Sequence, residues 1–117
     1  MKRTFRTMLI MLLVFSISPL LVSVRALNNI TVHFFENQTC GNCQDMDDYL
    51  ESLVSEYDNI EIVHYDIANE ENFQLLQEVA DVFDIKALTP TVVIGGIAFT
   101  GYGETNAYYI RQTIDRY

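Results

Sequence analysis

Basic side chains are scarce in this chain of 117 residues, with seven Lys and Arg against sixteen Asp and Glu. Four of the seven (Lys2, Arg3, Arg6 and Arg25) fall within residues 1–26, which hold none of the acids. Residues 27–117 therefore carry three basic against sixteen acidic side chains, a net charge of −13. Such a surface repels phosphate backbones and argues against a nucleic-acid partner. It favours cationic or neutral partners and keeps an extracytoplasmic domain soluble. Cysteine is scarce too: Cys40 and Cys43 are the two in the chain. A structural staple gains by closing a long loop, and a ring between these two closes almost nothing. Reactivity rather than stability is the expected use of such a pair in an exported protein. No cysteine lies near Ala26, which argues against a lipid-modified N-terminus. No internal repeat, low-complexity tract or linker is present. No Lys-Asp-Glu-Leu-type tail follows Arg116-Tyr117, so retention in the endoplasmic reticulum is not expected.

What the chain does have begins with a leader. Lys2, Arg3 and Arg6 precede an almost wholly apolar run from Met8 to Val24, and Val24-Arg25-Ala26 offers small residues at the −3 and −1 positions of a cleavage site. The run is slightly short for a spanning helix of about 20 residues, and Pro19 interrupts it. Residues 1–26 read as a cleaved signal peptide, with an uncleaved N-terminal membrane anchor as the alternative. Either reading exports the chain, and a bacterial envelope is the expected compartment. Residues 27–117 suffice for one small domain.

Within that domain, Ile30-Thr31-Val32-His33-Phe34-Phe35 is rich in β-branched and aromatic residues and predicts a buried first strand. From Gln44 to Tyr57 the apolar positions Met46, Leu50, Leu53, Val54 and Tyr57 recur at helical spacing, with Asp45, Asp47, Asp48, Glu51 and Glu56 on the wet face. Ile60–Ile67 predicts a second strand. Asn69 is an N-cap candidate for a helix whose first turn carries Glu70 and Glu71, followed by a stripe of Phe73, Leu76, Val79, Ala80 and Phe83. Thr91–Ile94 and Ile97–Thr100, joined by Gly95-Gly96, predict a hairpin. A last helix carries Ala107, Ile110, Ile114 and Tyr117, with Thr105 as its cap. The order is β-α-β-α-β-β-α, an α/β domain with a central four-stranded mixed sheet flanked by helices. Strands separated by helices are expected to run parallel through right-handed crossovers, and the hairpin to add an antiparallel edge.

Two motifs carry the chemistry. Cys40-Gly41-Asn42-Cys43 lies where the first strand gives way to a helix, and Leu88-Thr89-Pro90-Thr91 opens the third strand. Two thiols three positions apart at a helix start can close and reopen a disulfide ring. Unpaired amides there favour a thiolate, lowering a cysteine pKa from about 8.5 to anywhere in ~3.5–7.5. Asp45, Asp47 and Asp48 oppose a thiolate, and Gly41-Asn42 brings no positive charge. Together these lean toward a reductant or isomerase over a strong oxidant.

CxxC at the first strand-to-helix turn and Thr-Pro at the third strand resemble the thioredoxin superfamily, in its short glutaredoxin-sized version. The resemblance covers roughly Asn29 to Tyr117. It implies a thiol–disulfide oxidoreductase in which Cys40 is the nucleophile and Cys43 the resolving thiol. Pro90 would be a cis-proline facing the disulfide, Thr89 would offer backbone groups to a substrate strand, and Gly101 would be the small residue near that surface. Thr39 stands where thioredoxins carry tryptophan, which this chain lacks altogether. Phe34 stands where they carry a buried acid, and no proline lies between the cysteines. The glutathione-binding features of glutaredoxins are missing as well, so no cofactor is implied. The expected partners are protein thiols and disulfides and a redox partner, with the domain a monomer. Two other classes compete. One is a redox-inert binding or adaptor domain with a locked disulfide. The other is a zinc module using Cys40, Cys43, His33 and His64, whose spacing is far from that of compact zinc sites, so no metal is expected.

Overall fold

The computed structural model describes residues 28–117; the expected leader, residues 1–26, lies outside them. Its elements are β1 (Ile30–Glu36), α1 (Gly41–Glu56), β2 (Ile60–Asp66), α2 (Glu70–Phe83), β3 (Thr91–Ile94), β4 (Ile97–Thr100) and α3 (Glu104–Ile114). The sheet order is β2-β1-β3-β4. β1 is parallel to β2 and antiparallel to β3, and β3 is antiparallel to β4. This is a thioredoxin-like α/β fold.

Strand alternation divides the interior in two. Ile30, Val32 and Phe34 point to one face, where they meet Met46, Leu50 and Leu53 of α1, Val92 and Ile94 of β3, Phe99 of β4, and Ile110 and Ile114 of α3. Phe35 points to the other face with Val93 and Leu76 of α2, bordered by Tyr65, Val79 and Phe83. Period-two side chains on a pleated strand require this division. The first face holds most of the core, and the sheet hangs from it.

One expectation of direction fails. The segment after α2 does not return β3 parallel to its predecessors, because β3 enters from the end at which β1 finishes, Phe35 opposite Thr91. The link from Asp84, in the left-handed region at φ 53°, to Pro90 makes that delivery. Helix boundaries shift as well. α1 begins at Gly41 rather than near Gln44, so the CxxC segment lies at its start, and Tyr57 is its C-cap. On α2, Asn69 caps as expected, accepting from the amides of Glu71 and Asn72 at 2.9 and 3.3 Å. Phe73, however, stays 38% exposed. α3 starts at Glu104 after Gly103, with no side-chain cap, so Thr105 lies inside the helix and Tyr117 beyond it. Among the described residues, no helix is long and apolar enough to cross a membrane.

α1 and α3 are tied by polar contacts as well as by core. Tyr49 Oη donates to the Ala107 carbonyl at 2.6 Å, and burial pushes its phenol above the ordinary value. Arg111 donates to Glu56 Oε1 at 2.7 Å, and this hydrogen bond is the main cause holding the Glu56 carboxyl below the usual range.

Two outcomes follow for stability. Phe34 is fully buried at the centre of the larger core. Phe34→Ala is expected to destabilise by about 3–5 kcal/mol, read as a lower urea midpoint at unchanged slope. The lowered folded-state pKa of Glu56 gives stability that is present above its unfolded value and lost as pH falls through the folded one. Stability-versus-pH curves of the wild type and Glu56→Gln should therefore converge on the acid side. The gap should be small, because the pair is exposed. Curves that stay parallel would show that the ion pair contributes nothing.

Candidate functional site

The site is built where β1, α1 and the entry to β3 meet. β1 ends at Glu36, and a short turn closed by the Cys40 amide donating to the Asn37 carbonyl at 3.0 Å leads into α1. Asn37 Oδ1 accepts from the Thr39 amide at 3.2 Å and holds the turn further. Cys40 then takes the N-cap position in extended backbone conformation. Serine, threonine, aspartate or asparagine usually fill that position with a side-chain oxygen. Here the cap atom is sulfur: the Cys43 amide donates to Cys40 Sγ at 3.1 Å. A free helix-end N–H aimed at this sulfur stabilises negative charge on it. No acid lies in the first turn of α1, since the aspartates begin at Asp45.

Cys40 and Cys43 are joined as a disulfide, with Cα atoms 5.2 Å apart. The two sulfurs are not equivalent. Cys43 is buried, 4% exposed, within the larger core, whereas Cys40 is half-buried at its rim. An open cavity of about 260 Å³ borders both, walled by Glu36, Asn37, Gln38, Gln44 and Asp47. Among the described residues, no Lys or Arg lines it.

Opposite the cysteines lies the Leu88–Thr91 segment. The Thr89–Pro90 peptide bond is cis. The Thr89 carbonyl oxygen stands 3.7 Å from Cys40 Sγ, a van der Waals contact in the disulfide and within reach of a thiol donor once the bond is reduced. Pro90 is fully buried, Thr89 half-buried, and Leu88 is 54% exposed beside them. Gly101 lies just past β4 rather than in it, at φ 84°, a conformation that favours glycine. Its amide donates to the Pro90 carbonyl at 2.8 Å, so it supports this segment from behind.

Other residues at the site went unnoticed in the sequence. The Thr91 hydroxyl donates to the Leu88 carbonyl at 2.6 Å from a fully buried position. Asn106 Nδ2 donates to the Thr100 and Gly101 carbonyls at 3.0 and 2.7 Å, fixing the Gly101 bend. A threonine after Thr-Pro and an asparagine soon after a glycine bend were the available signals. Asp47 is only partly on the wet face expected of it: its side chain is 40% exposed, while Oδ1 is turned toward His64. The zinc set considered above is not assembled. His33 points to the α2 face, bonded through Nδ1 to Tyr65 Oη at 2.9 Å, while His64 lies beside Glu36 at 3.5 Å.

No family model and no curated protein matches the sequence. Solved structures do. The chain is similar to a thioredoxin from Fasciola hepatica, at 27% identity over 76% of this chain and 81% of that one, TM-score 0.56. It is similar to a glutaredoxin from Archaeoglobus fulgidus, at 20% identity over 71% and 84%, TM-score 0.54. Oxidised mitochondrial thioredoxin 3 from Saccharomyces cerevisiae matches at 22% identity over 78% and 81%, TM-score 0.52. The chain thus has the fold of these thioredoxins and this glutaredoxin, and its CxxC disulfide at the mouth of α1 is consistent with a domain of the thioredoxin superfamily.

Proposed function

We propose that the chain is an exported thiol–disulfide oxidoreductase that exchanges disulfides with protein substrates through Cys40 and Cys43, in the reducing or isomerising direction. One observation carries the reading: the half-exposed Cys40 sulfur occupies the cap of α1, receives the Cys43 amide and is paired with a buried partner thiol. This is the asymmetry that exchange needs. An accessible thiolate attacks one sulfur of the substrate disulfide, a mixed disulfide forms, and a second, sheltered thiol releases it. Export rests on the basic and apolar pattern of residues 1–26.

The substrate strand would lie along Thr89, Pro90 and Gly101, where the exposed Leu88 adds an apolar contact. Protein thiols and disulfides are the substrates, a separate redox protein supplies or removes electrons, and the domain works as a monomer. The lean toward reduction comes from charge. Glu36 and Asp47 wall the cavity, and no basic side chain among the described residues lines it. Negative charge nearby disfavours the Cys40 thiolate, and a less stabilised reduced form makes a weaker oxidant.

Two measurements test this. Cys40→Ser should abolish reaction with a disulfide substrate, whereas Cys43→Ser should accumulate the mixed disulfide, visible on a non-reducing gel. Equal behaviour of the two variants would contradict the assigned roles. Equilibration of the wild type against glutathione buffers should place the potential nearer thioredoxin's, about −270 mV, than the strongly oxidising value of about −120 mV. A pair that never equilibrates would instead favour a redox-inert adaptor.

A further inference from the structure

Resolution of the mixed disulfide requires Cys43 to lose a proton, because only the thiolate attacks. Cys43 sits in the core, 4% exposed, and lines an open cavity. Two carboxylates share that wall, Glu36 at the end of β1 and Asp47 on α1. Asp47 follows Cys43 by one helical turn, so both side chains project from the same stripe of α1. Its Oδ1 is buried and has no hydrogen-bond partner among the described residues. A buried acceptor without a donor is unusual, and such atoms call for an explanation.

We propose that Asp47 is the proton acceptor for the resolving thiol, a role that rests on the oxidoreductase reading above. The ionisable groups around it come from each neighbouring element: Glu36 from β1, His64 from β2 and the cysteines from the start of α1. His64 Nδ1 is 4.0 Å from Asp47 Oδ1 and 3.5 Å from Glu36 Oε1, and all three donor atoms lie within 4.8 Å of one another. The cavity, about 260 Å³, has room for a water that carries the proton from the thiol to the carboxylate.

The step balances as follows. The Cys43 S–H proton passes to the Asp47 carboxylate, and the Cys43 thiolate attacks Cys40 Sγ in the mixed disulfide. The Cys40–Cys43 bond forms as the Cys40–substrate bond breaks. The substrate leaves as a thiolate, reduced by two electrons from the dithiol, and takes up a proton from Asp47 or from solvent. Asp47 thus acts on Cys43 through the cavity rather than on the substrate.

The test is single-turnover reaction of the reduced full-length chain with dithiodipyridine, a neutral disulfide that releases one chromophore on attack by Cys40 and a second on resolution by Cys43. Asp47→Asn is expected to leave the first phase at or above the wild-type rate, because a negative charge near Cys40 is removed, and to slow the second by about 10²-fold at neutral pH. It should also replace the wild-type pH profile of the second phase with a rate that climbs steadily with hydroxide. Asp47→Glu should restore most of the second-phase rate. A second phase in Asp47→Asn matching the wild type at every pH, or equal slowing of both phases, would overturn the assignment. Asp47→Ser repeats the measurement if the amide variant does not fold. A wild type that releases no chromophore would instead sink the oxidoreductase reading itself, so the two failures are distinguishable.

Discussion

The register of β1 against β3 is the constraint on which the site depends. Phe35 faces Thr91 across an antiparallel ladder, so the chain leaving β1 and the chain entering β3 occupy one end of the sheet. Cys40 follows Phe35 by one short turn and Thr89 precedes Thr91 by two positions, which is why sulfur and carbonyl meet although they are distant in sequence. A slip of one residue would invert every side chain of the strand. Phe34 would leave the larger core and His33 would enter it. The apolar alternation that builds the core therefore also aligns the redox centre. Packing and chemistry share one specification.

The sulfur cap of α1 is a second coupling between structure and reactivity. A side-chain oxygen at that position would satisfy the Cys43 amide and nothing more. With sulfur there, the amide that the helix must satisfy favours the thiolate that exchange needs. The acids oppose it from one turn further on. Net reactivity is set by an amide at 3.1 Å against carboxylates across the cavity. Direct hydrogen bonding to the charged form and through-space repulsion are separate contributions, and the chain supplies both.

Much of this was legible in the residues. The strands read out within about a residue at each end, because β-branched alternation and the Gly95-Gly96 turn are strong local signals. The CxxC pair and Thr-Pro announced the site. What escaped has physical reasons. Gly41 and Asn42 are poor helix formers and cysteine is not among the preferred caps, so the start of α1 was placed too late. Gly103 leaves α3 without a side-chain cap, so nothing marks its first residue. Periodicity tells which residues share a face but not which way a strand runs, hence the direction assumed for β3. Asp47 was placed on the wet face by helical spacing, whereas its Oδ1 is buried toward His64 of β2, a contact that no single-helix pattern encodes.

The placement of Cys43 decides how far redox state and folding are linked. The ring spans a sequence separation of three, so its contribution through the unfolded chain is small. Stability instead resides in Phe34, Met46, Leu50, Ile94 and Ile110, which are fully buried in the larger core. Cys43 packs into that same cluster, so its sulfur is held by the core as well as by the bond it makes. Opening the disulfide frees Cys40 at the rim while leaving its partner in place within striking distance. On the proposed mechanism, then, reduction would not have to disturb the core, and resolution would need Cys43 only to lose its proton. A cysteine pair placed to staple distant segments could not be cycled this way, because each reduction would release the loop that its bond was closing.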